Sequence, residues 1–172
     1  MKNYIYKTLF SLSLIATFFS CDSIGDPDAG GTSTENMAGD WYVQMYTKGE
    51  EPSGAYTLIT THNTSKNDGK EMWIDEHLHL WYFKVKSPVD VSSLTFSGAN
   101  LPSSVDDDDD ASTPPYEITV TITNGQISLN DTETSGGNIS NGISFDIEFS
   151  DDPGNVYTVS GYKYIGFPED QH

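Results

Sequence analysis

Apolar and polar residues alternate along most of the chain from position 39 onward. The clearest example is the segment 116–123, whose apolar residues all fall on positions of the same parity: Tyr116, Ile118, Val120 and Ile122. Such alternation places the apolar side chains on one face of a β-strand, and no stretch shows a convincing helical period. The pattern therefore predicts an all-β domain with strands at 41–47, 55–63, 71–75, 78–86, 91–98, 116–123, 126–130, 143–150 and 156–167.

Turn-forming residues separate these predicted strands. Asn124 and Gly125 tolerate positive φ and lie between two alternating runs, which predicts a two-residue hairpin. Residues 151–155 predict a second hairpin before the last strand. Consecutive antiparallel strands must protect their edges, and closure into a single up-and-down β-barrel does this. A β-sandwich is the alternative.

The first residues are typical of an export signal. Lys2 and Lys7 precede an apolar run at 9–19 that is too short for a permanent membrane span. Ser20 stands directly before Cys21, the single cysteine of the chain. We expect a lipoprotein signal peptide at 1–20 and acylation of Cys21, with palmitate among its acyl chains, which would hold the protein to a membrane. The alternative is an ordinary secreted protein in which Cys21 is removed or stays a free thiol.

Charge and composition divide the remaining chain. Residues 21–37 are rich in Asp, Gly, Ser and Thr and predict a flexible acidic tether, which leaves 38–172 as one barrel domain. The formal charge of −18 argues against nucleic acid as a partner. Asp22, Asp26 and Asp28 resemble the acidic tract of surface-exposed Bacteroidota lipoproteins. The prediction is a lipoprotein of the cell envelope, anchored in the outer membrane and exposed at the cell surface, with a periplasm-facing anchor as the alternative. The acidic residues could also serve solubility alone.

One segment interrupts the strand pattern. Residues 103–115 hold five consecutive aspartates and two prolines, a composition that predicts a long exposed loop. Calcium binding is the alternative, but a calcium site needs carboxylates that converge on one ion.

Three segments carry a resemblance to a known family. They are the Gly39-x-Trp41 motif at the start of the first strand, the segment 81–86 and the C-terminal stretch 149–170. Together they resemble the small Bacteroidota lipoproteins known as lipid-binding putative hydrolases, a lipocalin-like family, over residues 38–170. The resemblance implies a lipocalin-like barrel with a lipid-sized cavity. It also implies that Lys163, where the family usually has arginine, packs over Trp41 at the closed end.

The predicted strand 78–86 indicates which residues would line a cavity. Lys84 and Lys86 should face solvent, so the residues between and before them should point inward. Ligand-pocket candidates from this strand and its neighbours are His79, Trp81, Phe83, Tyr116, Ile118, Phe145 and Phe149. The alternative is that these side chains fill one another's space as a solid core.

The case for catalysis is weak. No G-x-S-x-G elbow is present, and no catalytic residue is assigned. Asp75, His77 and His79 would share one face of an unbroken strand and are the weak metal candidates. The polar cluster at 75–77 is better interpreted as a hairpin tip, so no metal or cofactor is predicted.

Three functions follow from these patterns. The leading hypothesis is a membrane-anchored barrel that binds a small apolar or amphipathic, lipid-like ligand without catalysis. The alternative is an envelope protein-interaction module with a filled core and an exposed aromatic patch from Tyr42, Tyr46 or Tyr162. A hydrolase is disfavoured, although enzymatic activity stays open, and the identity of any protein partner is not predicted.

Overall fold

In the described part of the chain, eight strands form one closed antiparallel barrel and follow one another around it in chain order. The computed structural model describes residues 31–105 and 117–172. The strands are β1 (Gly39–Thr47), β2 (Thr57–Asn63), β3 (Glu71–Asp75), β4 (Lys84–Asp90), β5 (Thr95–Pro102), β6 (Thr119–Glu133), β7 (Ile139–Phe149) and β8 (Val156–Lys163). The predicted all-β, up-and-down barrel is therefore confirmed.

Closure comes from the pairing of the first and last strands. Trp41 on β1 lies opposite Lys163 on β8, and the ladder continues to Thr47 opposite Tyr157. Closing the ring removes free strand edges, which would otherwise offer unpaired amides and carbonyls. The barrel lies within the compact unit Thr32–His172.

The barrel has two distinct ends because each strand reverses direction. The Trp41 end holds the β2–β3, β4–β5 and β6–β7 connections and the short 3₁₀ helix Glu35–Met37. Thr34 and Met37, which the sequence pattern assigned to the tether, are buried. The Trp81 end holds the β3–β4 loop at 76–83 and the β7–β8 turn.

Two strand predictions were wrong. Asn124-Gly125 is not a hairpin turn: it lies inside the continuous strand β6, which pairs with β7 on both sides of it. The register shifts between Thr123 and Gln126, which is a β-bulge that absorbs the positive φ of Asn124, 54°. Asn124 Nδ2 also donates to Asp146 Oδ2 at 2.7 Å, which ties the bulge to β7.

The predicted strand 78–86 was wrong in its first half. Strand β4 begins at Lys84, and residues 76–83 form a loop in which His77, Leu78 and Tyr82 have positive φ. A run of residues in this conformation cannot continue a strand. The predicted hairpin at 151–155 is confirmed, because β7 and β8 pair up to Glu148 and Val156.

The interior is built from the inward positions of all the strands. Because paired residues share a face, Ile143, Phe145 and Ile147 on β7 point inward with Gly161, Val159 and Tyr157 on β8. The buried apolar core contains Met37, Trp41, Val43, Ile59, Met72, Ile74, Phe83, Val85, Phe96, Ile118, Val120, Ile122, Ile127, Ile143, Phe145, Ile147, Phe149 and Val159.

Candidate functional site

Trp41 fills the interior at its end of the barrel. The side chain is fully buried, and its Nε1 donates a hydrogen bond to Thr61 Oγ1 at 2.8 Å. The Thr61 hydroxyl in turn donates to the carbonyl of Met37 at 2.6 Å. This chain of hydrogen bonds fastens the 3₁₀ helix across the Trp41 end, because a buried indole N–H needs an acceptor.

Lys163 covers the same tryptophan. Its Nζ lies 5.9 Å from the centroid of the Trp41 ring and donates to the carbonyl of Ala38 at 2.7 Å. A Cβ at Gly39 would lie 2.5 Å from Lys163 Cε, so the glycine leaves room for the lysine stem. The three residues of the Gly39-x-Trp41 and Lys163 set thus lie together at this end of the barrel.

The phenylalanines of the predicted pocket pack against one another. Phe83, Phe145 and Phe149 are all buried, and the rings of Phe83 and Phe149 lie 5.7 Å apart between centroids. Ile118 is also buried, whereas Tyr116 lies outside the described residues. Clefts of about 370, 180 and 270 Å³ lie in the described part of the chain, and Phe83, Phe145 and Phe149 do not line them.

Trp81 lies across the opposite end of the barrel. Its ring stacks on Phe149 with centroids 4.4 Å apart and an interplanar angle of 7°, and its Nε1 lies 3.2 Å from both carboxylate oxygens of Asp151. Trp81 belongs to the β3–β4 loop, whereas Phe149 and Asp151 belong to β7 and the turn that follows it. These elements lie on opposite sides of the ring of strands. The 76–83 loop therefore covers the Trp81 end.

Glu76 organises this loop. The side chain is fully buried, and its carboxylate accepts hydrogen bonds from four backbone amides. Oε1 accepts from Leu78 at 2.9 Å and Phe83 at 3.0 Å, while Oε2 accepts from His79 at 2.7 Å and from Leu80. A carboxylate suits this role because it has acceptors only. Sequence reasoning missed it, since one glutamate in a polar cluster carries no signal.

The weak metal candidates have other partners. Asp75 Oδ2 lies 2.6 Å from Lys84 Nζ, and Asp75 Oδ1 lies 3.5 Å from His77 Nδ1. Burial alone would raise the pKa of Asp75, but hydrogen bonds from Lys84 and from the His77 amide outweigh it and lower the pKa. His79 is exposed in the loop rather than inward-facing, with its ring 6.5 Å from that of His77. Within 31–105 and 117–172, no group of three or more His, Cys, Asp or Glu side chains could hold a metal ion.

A cluster of aromatic side chains on the outer face of β1 and β8 was not identified as a unit from the sequence. Tyr42 lies opposite Tyr162 in the ladder, and Tyr56 packs on both Tyr162 and His172, with centroids at 5.3 and 4.3 Å. His172 Nε2 lies 2.6 Å from the Tyr162 hydroxyl and 3.0 Å from Ser135 Oγ. Tyrosine at the outward positions of β1 and β8 was the one available signal.

This cluster borders a cleft of about 370 Å³ on the outside of the barrel, which we call the outer cleft. Its side chains are mostly hydroxyls and carboxamides. The lining residues are Gln44, Pro52, Tyr56, Gln126, Ser128, Thr132, Glu133, Gly142, Ile143, Ser144, Ser160, Gly161 and Tyr162.

Comparison with known proteins adds one finding. A family model described as a lipid-binding putative hydrolase matches residues 26–168. No curated protein matches the chain. Among the described residues, no helix is long and apolar enough to cross a membrane.

Proposed function

The chain belongs to the family of lipid-binding putative hydrolases. We propose that it is a membrane-anchored envelope lipoprotein whose barrel binds a lipid-like ligand without hydrolysing it. The ligand class is supported by the family and by the closed eight-stranded barrel. Barrels of this size are either filled by side chains or just able to hold one small ligand.

The observation that carries the proposal is that the 76–83 loop lies over apolar side chains of the interior at the Trp81 end. At this end the 76–83 loop lies against the aromatic interior, because the half-buried ring of Trp81 stacks on Phe149. Leu78 and Tyr82 in the same loop are 45% and 48% exposed. Apolar side chains on an exposed loop over an aromatic interior are what an amphipathic molecule would meet first.

The energy needed to move Trp81 is small beside what an acyl chain supplies. Stacking of Trp81 on Phe149 is worth about 0.5–1.5 kcal/mol beyond the buried area. Each methylene that leaves water contributes about 0.8 kcal/mol. An alkyl chain that takes the place of the indole over Phe149 would offset the lost stacking with roughly two methylenes. The hydrogen bond from Trp81 Nε1 to Asp151, worth about 1.5–3 kcal/mol, would require roughly two to four more.

The position of the polar groups supports binding rather than hydrolysis. Ser135 Oγ lies 3.0 Å from His172 Nε2, a spacing compatible with a nucleophile and its base. Ser135 belongs to the β6–β7 connection, however, which is at the Trp41 end of the barrel and away from Trp81. Around Trp81 the histidines His77 and His79 are exposed, and their described contacts include no serine hydroxyl. A serine hydrolase needs its nucleophile and base together at the place where substrate binds.

The membrane anchor is the part of the proposal that depends on Cys21. This residue lies outside the described part of the chain. Metabolic labelling with an alkyne analogue of palmitate is expected to label the full-length protein and not the Cys21→Ala variant. Equal labelling of both would refute the anchor and leave the barrel proposal standing.

Ligand binding is tested with the full-length protein by native mass spectrometry before and after organic extraction. A lipid-sized adduct is expected, and the extracted protein should bind a fluorescent fatty acid. Trp81→Ala should change the off-rate of this probe, whereas Trp73→Ala should not, because Trp73 lies on β3 beneath Lys86, 4.8 Å from its Nζ. Absence of both adduct and probe binding would refute the proposal, and turnover of a p-nitrophenyl acyl ester would refute its non-catalytic part.

The packing of the interior favours a second candidate, an envelope interaction module. Phe96 and Phe145 lie 5.5 Å apart and Phe83 and Phe149 5.7 Å apart, so aromatic rings occupy much of the space. Crosslinking in intact cells would favour this candidate if it recovers one protein partner while the fatty-acid probe fails to bind.

A further inference from the structure

The outer cleft is a site separate from the lipid proposal. Ser144 and Ser160 lie opposite each other on β7 and β8 and alternate with Phe145 and Val159, whose side chains fill the interior. Since side chains alternate along a strand, the two serines face outward. The cleft of about 370 Å³ falls within the 300–1,000 Å³ that is usual for small-molecule sites.

Its lining excludes several ligand classes. An acyl chain would leave the hydroxyl and carboxamide groups without hydrogen bonds, which is costly. A phosphate or other anion would need a cation, and no lysine lines the cleft. A metal ion would need more than the one carboxylate present, that of Glu133. The chemistry that remains is that of a neutral ligand rich in donors and acceptors.

Several of these polar groups are available for such a ligand. Gln126 and Ser144 are exposed, and their side chains have no hydrogen-bond partner within the described part of the chain. Gln44 is held in place because its Nε2 donates to the carbonyl of Gly54 at 2.6 Å, which leaves its side-chain oxygen as an acceptor. Ser160 is likewise held by the Tyr46 hydroxyl at 3.0 Å.

The half-buried ring of Tyr56 gives the cleft an ordered aromatic side chain that packs on the buried Tyr162. Tyr162 is buried, and its hydroxyl is fixed by Ser135 at 2.8 Å and His172 at 2.6 Å. Tyr56 is held between Tyr162 and the stacked ring of His172. Aromatic side chains ordered before binding supply contact area at little further entropic cost.

We infer that the outer cleft binds a neutral saccharide. A sugar ring offers hydroxyls that both donate and accept, which matches the carboxamides and hydroxyls of the cleft. It also offers an apolar C–H face, which matches the half-buried ring of Tyr56. A peptide would most readily add itself to a free strand edge, but the closed barrel has none. The inference goes beyond lipid binding and concerns a different surface.

The experiment is an NMR titration of the full-length, ¹⁵N-labelled protein with cellobiose, maltose, lactose and N,N′-diacetylchitobiose, with tetra-alanine as the peptide probe. At least one disaccharide should shift the side-chain amides of Gln44 and Gln126 and the backbone amide of Ser144. Ser144→Phe fills the cleft from an exposed position and should weaken binding at least tenfold. The matched control, Ser65→Phe, is an exposed substitution in the β2–β3 connection and should leave the affinity unchanged.

The possible outcomes separate clearly. If no disaccharide shifts the resonances of the outer cleft, or if Ser144→Phe and Ser65→Phe have equal effects, the inference is wrong. Shifts at the cleft with tetra-alanine alone would assign a peptide and also overturn it. Circular dichroism and thermal unfolding of both variants establish that a loss of binding does not come from a loss of folding.

Discussion

Glu76 offers the sharpest test of how this structure is held together. Its carboxylate accepts four amide hydrogen bonds, from Leu78, His79, Leu80 and Phe83, inside a buried site. A hydrogen bond to a charged group is worth about 1.5–3 kcal/mol, and a buried donor left without a partner costs about 1–3 kcal/mol. The variant Glu76→Ala removes all of these acceptors at once.

The expected loss is smaller than the sum of the four bonds. Leu78 and His79 are exposed, so their amides can turn to water after the substitution. Phe83 is fully buried, so its amide would stay unsatisfied. Removing the carboxylate also removes the cost of burying it. We therefore expect Glu76→Ala to lower the free energy of unfolding by about 2–4 kcal/mol, which is a shift of roughly 1–2 M in the urea midpoint.

Glu76→Gln separates the charge from the size of the side chain. Each carboxylate oxygen accepts two amides, so the NH₂ group of glutamine would face two donors in place of an acceptor. Its loss of stability should approach that of Glu76→Ala. The control is Glu71→Gln, because Glu71 forms an exposed ion pair with Lys66 at 3.3 Å that is worth less than about 1 kcal/mol.

The assay is urea unfolding of the full-length protein, combined with hydrogen exchange at the amides of Leu78, His79, Leu80 and Phe83. Both variants at Glu76 should lose protection at Phe83, while Glu71→Gln should not. If Glu76→Gln matches the wild type in midpoint and in protection at Phe83, the acceptor role assigned to Glu76 is refuted.

Three further predictions concern the barrel wall. Gly161→Ala would bring a Cβ into collision with the carbonyl oxygen of Tyr42 on β1 and should lower the unfolding free energy by roughly 3 kcal/mol or more. The control Gly154→Ala, with φ of 88° and nothing within 4 Å, should cost only about 1 kcal/mol in the same urea assay. Burial would raise the pKa of Asp146, but hydrogen bonds from a lysine, an asparagine and a threonine lower it below the ordinary value of 3.8, so its stabilisation is present above pH 3.8 and is lost as pH falls through the lower, folded-state pKa. Asp146→Asn should therefore flatten the acid side of the stability–pH curve, and an unchanged curve would contradict this. Lys163→Met keeps an apolar stem over Trp41 but removes the hydrogen bond from Nζ to the Ala38 carbonyl. Thermal unfolding should show a loss of about 1–3 kcal/mol in the free energy of unfolding, and an unchanged stability would count against this contact.

The sequence anticipated the strands whose alternation reflects burial on one face. The predicted segment 71–75 coincides with β3, and the predicted segment 143–150 lies in β7 except for its last residue. It could not tell a hairpin from a bulge at Asn124-Gly125, because both use positive φ at the same residues. The structure has a bulge because β7 pairs with β6 on both sides of these residues and because Asn124 donates a hydrogen bond to Asp146.

The 76–83 loop shows the same limit at the candidate site. Its apolar residues, Leu80, Trp81 and Phe83, resemble part of a strand in the sequence, yet the backbone amides of Leu80 and Phe83 donate to the carboxylate of Glu76. A loop organised by one carboxylate within it has no periodic signature. The predicted inward position of His79 is therefore wrong. Trp81 lies over the end of the barrel because of the loop conformation, which the alternating pattern does not predict.

By itself, the sequence determined the all-β class, the apolar inner face and the resemblance to the family, because these follow from local alternation and short motifs. It favoured a closed barrel over a β-sandwich, and the pairing of β1 with β8 decided between them. Acylation of Cys21 and the envelope location stay predictions from the same source. Only the tertiary structure decided that Trp81 lies over Phe149, that Glu76 holds the loop above it, and that residues from β1, β6, β7 and β8 meet in the outer cleft. Those features join residues far apart in the chain, and their contacts exist only after the strands have closed into a ring.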